Sequence, residues 1–382
     1  MDKIIKIWPL IFLIGNIGEQ TFMFMHYASI IFYGMLALSI PLLLLNKDVI
    51  TSSDCISSFR FMYIFISILL IYQFTFGLIV YNDRSWVYLL SKTISTAIII
   101  ISCYLCPEFN TKTLLIVFTY IIVAFTLIGH FVFNISYNNR ATLGFLNPNS
   151  MGMLAALAFG ILLIVFNFES RHRWINVFCM IELLISVLQS GSRNALGIII
   201  LAFLFRFGCN LKYLLGIAIS FIILISVANE LGFETSAFDR FVNTIENKDI
   251  SEGRENERKA AFVMIKENPI TGSGLYATQS EESLKISQYG SHNGYLDFIK
   301  MLGIPLGVVL IVCLIYYSLR SIYLCRYISD HFVWANCFIV LSVCIASVNE
   351  AYMWGVNQPV TTLFFIALAT IESKAYNLNS EN

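Results

Sequence analysis

Apolar runs of roughly 20 residues recur along almost the whole chain, and no other feature constrains its fold as strongly. Wound as a helix, such a run spans the hydrocarbon core of a bilayer. A transmembrane barrel would show weak alternation in shorter segments instead. Composition agrees: 58% of residues are hydrophobic and 13% charged, with a mean hydropathy of +0.75. A soluble domain is about half apolar and about a quarter charged. The chain therefore reads as an all-α integral membrane protein.

The pattern predicts twelve spans, near 4–18, 21–46, 59–80, 86–106, 113–134, 150–168, 174–190, 194–209, 211–229, 294–319, 332–350 and 356–372. Three regions follow: residues 1–229 with nine spans, one large polar loop over 230–293, and residues 294–382 with three spans and a short tail. The first apolar run has no small-residue cleavage site after it and reads as a retained span.

Lysine and arginine in short loops set orientation. One set of loops and termini holds Lys3, Lys6, Lys47, Arg60, Lys112, Arg171, Arg173, Arg206, Lys212, Arg320, Arg326 and Lys374; the opposite short loops hold only Arg84, Arg140 and Arg193. The basic side is expected to be cytoplasmic, with both termini inside and the 230–293 loop outside. The three outward arginines then lie against the topological bias. Snorkelling toward headgroups is the plain alternative for each, and it suits Arg84 best.

Within the loop, Ser251 to Asn268 reads as an amphipathic helix. Ser251 can serve as N-cap, Glu255 and Lys259 are spaced i,i+4, and Ala261, Met264 and Ile265 form an apolar stripe that Pro269 stops. Such a helix could lie on the bilayer surface. Arg254, Arg258 and Lys259 fall in its first half, and "TGSG" beyond it reads as a flexible turn.

Arg140, Arg193, Arg254 and His292 thus share one side of the membrane. A guanidinium pairs two oxygens at once and stays charged, so these arginines suit a lipid diphosphate. His292 sits at the mouth of the tenth span, where the helix dipole disfavours an imidazolium and should lower its pKa. A neutral ring can accept a proton, although a lone histidine there is commonly a cap or hydrogen-bond partner. Of the ionic residues inside spans, Lys92 and Glu182 have similar depth and suggest an ion pair, and Asp297 and Lys300 can neutralise each other at i,i+3. No metal site is expected from the outer loops. Cys103 and Cys106 lack the context of a redox pair. A formal net charge of zero gives no preference for nucleic acid.

Four segments in order, "NNRATLGFLNPNSMG", "SGSRNALG", "GRENERKAAFVMIKENPITGSGLY" and "SHNGYLDFIKMLGI", resemble the O-antigen polymerase/ligase superfamily over about 138–310. The resemblance implies a GT-C-like helical fold in the bacterial cytoplasmic (inner) membrane with its site facing the periplasm. It implies metal-independent transfer of a glycan from an undecaprenyl-diphosphate carrier, with no cofactor. Carried onto this sequence, Arg140, Arg193 and Arg254 would hold the diphosphate and His292 would activate the acceptor hydroxyl. The partners implied are the lipid-linked glycan donor and acceptor, membrane lipid, and a chain-length regulator. A polymerase accepts another carrier-linked repeat unit and a ligase accepts lipid A–core; "GFLNPNSMG" and "SHNGYL" look more like the polymerase. A transporter of the same lipid is the alternative class. It would favour paired broken helices in the two halves, and the sequence shows no such pair.

Overall fold

The protein's structure, a computed structural model, describes residues 2–80, 83–132, 140–167, 169–208, 254–276, 279–288, 290–326, 328–356 and 358–380. The described residues are helical throughout, apart from one isolated bridge between Thr21 and Phe145. The helices are α1 (Asp2–Glu19), α2 (Met25–Leu45), α3 (Lys47–Ile50), α4 (Ser53–Ser58), α5 (Arg60–Thr75), α6 (Asp83–Leu105), α7 (Leu114–Val132), α8 (Pro148–Val165), α9 (Arg173–Ser190), α10 (Arg193–Phe207), α11 (Glu255–Glu267), α12 (Glu281–Ile286), α13 (Gly294–Cys325), α14 (His331–Ala346) and α15 (Pro359–Ser380). A π-helical turn, Phe109–Thr113, leads into α7.

Each predicted span coincides with one of these helices except 211–229, which lies outside the described residues, as do Ser251 and the first part of the polar loop. Six helical stretches among the described residues are long and apolar enough to cross a membrane; α5 and α14 are apolar but shorter. The protein is a multi-pass helical membrane protein. Its peripheral helices turn apolar side chains outward, as a bilayer solvent allows: Ile30, Leu38 and Leu44 of α2 are exposed.

Helix α8 lies deep in the fold, with every residue from Met151 to Ile164 buried. Small residues let its neighbours come close, as membrane helices without a water-driven force require. A Cβ on Gly152 would stand 2.4 Å from Ser190 Oγ, and one on Gly160 would stand 2.2 Å from the Phe338 ring. These contacts draw the α9–α10 turn and α14 onto α8.

Helix α13 is broken at Gly303, whose φ is 76°, two residues before Pro305. A break inside a membrane helix leaves polar backbone groups that must find partners. Pro305 has no N–H for the Met301 carbonyl, and the Gly274 N–H donates to it at 3.2 Å instead. The Lys300 carbonyl accepts from Ser273 N at 2.9 Å, while Ile304 N donates to the Pro269 carbonyl at 2.8 Å. The backbones meet so closely that a Cβ on Gly303 would lie 2.1 Å from Ile270 O, and one on Gly272 2.3 Å from Met301 O. The "TGSG" segment is therefore a fixed plug in the helix break, not the flexible turn that its glycines suggest.

Helix α11 carries the expected stripe: Ala261, Met264 and Ile265 are buried, against α12 and α13 rather than on a bilayer surface. The Glu255–Lys259 pair forms at 2.7 Å, and Lys300 meets Asp297 at 2.6 Å. The expected Lys92–Glu182 pair does not form. Lys92 Nζ donates to the Gly355 carbonyl at 3.1 Å and lies 4.5 Å from the Phe365 ring centre. Glu182 Oε1 lies 3.0 Å from His130 Nε2 of α7 and accepts from Ser186 Oγ at 3.3 Å. Equal depth fixes a residue's height along the membrane normal but not the direction in which its side chain points. In a double-mutant cycle on the purified protein, the stability losses of Lys92→Met and Glu182→Ala should add within about 0.5 kcal/mol. Those of Glu182→Ala and His130→Ala should depart from additivity by more than that.

Candidate active site

Three helices begin at one place, and sequence explains each start. Asn147 caps α8, accepting from Asn149 N at 2.8 Å, with Pro148 in the first turn, where its missing N–H costs nothing. Ser192 caps α10, accepting from Ala195 N at 3.4 Å, after Gly191 ends α9 in the left-handed conformation. Asn293 caps α13, accepting from Tyr295 N and Leu296 N, both at 3.0 Å.

All three starts touch the segment that follows α14. Gly294 N donates to Ser347 O at 2.8 Å and Asn293 Nδ2 to Val348 O at 2.8 Å. Asn349 Nδ2 donates to Asn194 Oδ1 at 3.4 Å. Asn149 Nδ2 donates to Glu350 Oε1 at 2.8 Å. Helix N-termini carry the positive end of the dipole, so their convergence favours an anion.

The anion present is Glu350, which is buried. Its Oε1 accepts from Arg254 Nη2 at 2.8 Å as well as from Asn149, and its Oε2 lies 3.2 Å from His292 Nδ1. Arg140 enters through Asn149: its Nη2 donates to Asn149 Oδ1 and its Nε to Ser190 O at 2.7 Å. Arg254 also donates to the Asn349 carbonyl, and Arg258 Nη2 donates to Asn349 Oδ1 at 3.2 Å. Tyr352 donates its hydroxyl to Asn149 O at 3.3 Å.

His292 is held rigidly. Its φ is 47°, a left-handed conformation that a non-glycine residue rarely adopts. Ser291 on one side bonds Asp297 Oδ1 at 2.8 Å and Asn293 O at 3.0 Å; Asn293 on the other is the helix cap. Strain of this kind persists only where the surroundings enforce it. The Glu350 carboxylate raises the His292 pKa above its ordinary value, chiefly by hydrogen bonding, against burial and the Arg254 charge, which act to lower it. This corrects the expectation from the α13 dipole. A carboxylate in direct contact outweighs a partial charge spread over the first turn.

The structure thus brings Arg140, Arg254 and His292 together around one carboxylate. Arg193 opens α10 beside them, next to Asn194. Sequence reasoning missed Glu350, Asn349, Asn149 and the inward role of Arg258. The available signal was "SVNEAYMWG": an acid and an amide at the C-terminal end of a span, in a chain with three conspicuous arginines. Among the described residues no group of three or more His, Cys, Asp or Glu could hold a metal.

Removing the carboxylate should leave mutually repelling cations among three helix N-termini. Glu350→Ala is expected to lose on the order of 3 kcal/mol, read as a lowered unfolding midpoint in detergent. Glu350→Gln, which still accepts from Arg254 and Asn149, should lose clearly less.

In comparisons with known proteins, residues 141–312 match the family model described as O-antigen ligase (Wzy_C). The curated proteins contain no match. The matched segment starts immediately after Arg140, contains Arg193, Arg254 and His292, and ends before Glu350. Over residues 141–312, which supply most of this cluster, the chain therefore carries the domain of the O-antigen ligase family, whose members are glycan-transferring membrane enzymes.

Proposed function

We propose that the protein polymerises undecaprenyl-diphosphate-linked oligosaccharide repeat units into a surface polysaccharide such as O-antigen, at the outer face of the bacterial cytoplasmic membrane. The observation that carries this reading is the convergence of Arg254, His292 and, through Asn149, Arg140 on a single buried carboxylate within a lipid-glycan transferase domain. In this reading the chain crosses the membrane about twelve times in a GT-C-like arrangement. Both termini are cytoplasmic, and the 230–293 loop and the site face outward, as the bias of lysine and arginine supports.

Arg140, Arg193 and Arg254 hold the donor diphosphate, and the N-termini of α8, α10 and α13 add to the positive field. The acceptor hydroxyl oxygen attacks the anomeric carbon of the donor sugar. The bond from that carbon to the diphosphate breaks, and the lipid diphosphate leaves with the electron pair, stabilised by the guanidinium groups. With Nδ1–H directed at Glu350, His292 keeps its Nε2 lone pair for the hydroxyl proton. This is the division of labour of other carboxylate–histidine pairs. No metal or cofactor enters the step.

The family description favours one second reading, a ligase that delivers the glycan to lipid A–core. The donor half of the reaction is the same. Purified protein given only lipid-linked repeat units tests the choice: chain growth supports the polymerase, and growth only on added lipid A–core supports the ligase.

Two outcomes follow for the residues. Since His292 must be neutral to accept a proton, the rate should fall as pH drops through a pKa above 6.5, the ordinary value. Glu350→Gln removes the group that raises this pKa, so the acidic limb of the pH–rate profile should move to lower pH. An unmoved limb would assign the titration to another group. Arg193→Lys keeps the charge but loses two-pronged pairing. It should reduce turnover at least roughly tenfold at unchanged protein level, and full activity in Arg193→Ala would remove Arg193 from the donor site.

A further inference from the structure

A cavity of about 590 Å³ lies outside the Glu350 cluster, among α2, α6, the break in α13 and the segment after α14. That volume is within the range of about 300–1,000 Å³ typical of small-molecule sites. Its walls include Tyr33, Arg84, Tyr88, Tyr276, Met301 and Trp354. The inner wall is rigid. Tyr88 and Trp354 stack with ring centres 5.0 Å apart and planes 13° apart. The Tyr88 hydroxyl donates to Trp354 O at 2.5 Å, and Trp354 Nε1 donates to Leu275 O at 3.2 Å. Arg84 lies 5.5 Å from the Tyr276 ring centre, so the cation is held at the wall.

The outer side opens toward lipid. Tyr33 sits on a membrane-crossing helix and is 50% exposed, and Val87, on the same face of α6 as Arg84, is 48% exposed. A free sugar would call for a dense set of polar groups, whereas these walls are mainly aromatic and aliphatic, with a single arginine. An apolar chamber open to the bilayer with one fixed cation fits an apolar chain ending in phosphate. Trp354 is only four residues beyond Glu350, so the chamber adjoins the site.

We propose that this cavity is a second lipid site, holding the phosphate-proximal isoprene units of an anionic polyprenyl lipid with its phosphate on Arg84. The assignment rests on the polymerase reading above, in which donor and acceptor are both lipid-linked and each needs its own place. Arg140, Arg193 and Arg254 serve the donor, and the Arg84 cavity serves the acceptor. Arg84, which reads from sequence as a snorkelling residue, becomes a binding residue.

Native mass spectrometry of the full-length protein, with undecaprenyl diphosphate as probe, separates the two sites. The parent should bind two lipids. Val87→Trp, which fills the chamber, and Arg84→Gln, which removes the cation, should each bind one, the second weakened at least roughly tenfold. Arg193→Ala should also bind one, and Arg84→Gln combined with Arg193→Ala none. A parent that binds one lipid, unaffected by Arg84→Gln, overturns the cavity assignment and leaves the donor reading intact. Two lipids in Arg193→Ala with one in Arg84→Gln would do the reverse, supporting the cavity while removing Arg193 from the donor site. Equal displacement of the second lipid by phosphatidylglycerol would make the cavity a site for bulk headgroups and overturn its assignment to a substrate.

Discussion

A buried carboxylate must be paired or hydrogen-bonded, and Glu350 is both. Its two oxygens take up a guanidinium, an amide and an imidazole from three parts of the chain far apart in sequence. Without that charge, Arg254 and Arg258 of the polar loop would be left with their contacts to Asn349 in the segment after α14. The starts of α8 and α13 would likewise bring positive dipole ends and cations together with no anion between them. The same charge sets the chemistry of His292, since it both orients the ring and raises its pKa.

The rest of the fold serves to deliver these groups. Tight packing around α8 puts Ser190 where Arg140 can reach its carbonyl, because Gly152 leaves no side chain in the way. The caps at Asn147, Ser192 and Asn293 end each loop at a definite residue, so that Asn149, Arg193 and His292 each stand within two residues of a cap. Precision here comes from backbone hydrogen bonds and close helix contacts. Neither depends on long flexible side chains, which would lose more conformational freedom on ordering.

The sequence made the helices legible because apolar length is a local property. It pointed to Arg140 and Arg193 because an arginine against the charge bias of its loop stands out, and to Arg254 and His292 by their places in the amphipathic helix of the polar loop and at the mouth of a span. Glu350 did not stand out: one acid at the end of an apolar run looks like the end of a span. Lys92 and Glu182 show the other limit. Their depths could be counted from the chain, but their directions depend on how helices rotate against one another, and each found a different partner. His292 stands at the mouth of α13 as expected, but its pKa moves the other way, because the helix dipole is visible in sequence while the carboxylate 58 residues away is not. The aromatic cavity beside Arg84 is a product of five distant segments and left no local trace.

The plug at the break of α13 also bears on how the protein is made. A chain emerges from its N-terminus, so Ser273 and Gly274 exist before Lys300 and Met301, the carbonyls they complete. When residues 294–325 reach the bilayer, the donors that their broken backbone needs are already synthesised and tethered a short distance upstream. The reverse order would leave open carbonyls in hydrocarbon until a later segment arrived. A circular permutation that placed 269–276 after α13 could preserve every contact in the finished protein and still insert poorly, because assembly would have lost its sequence in time.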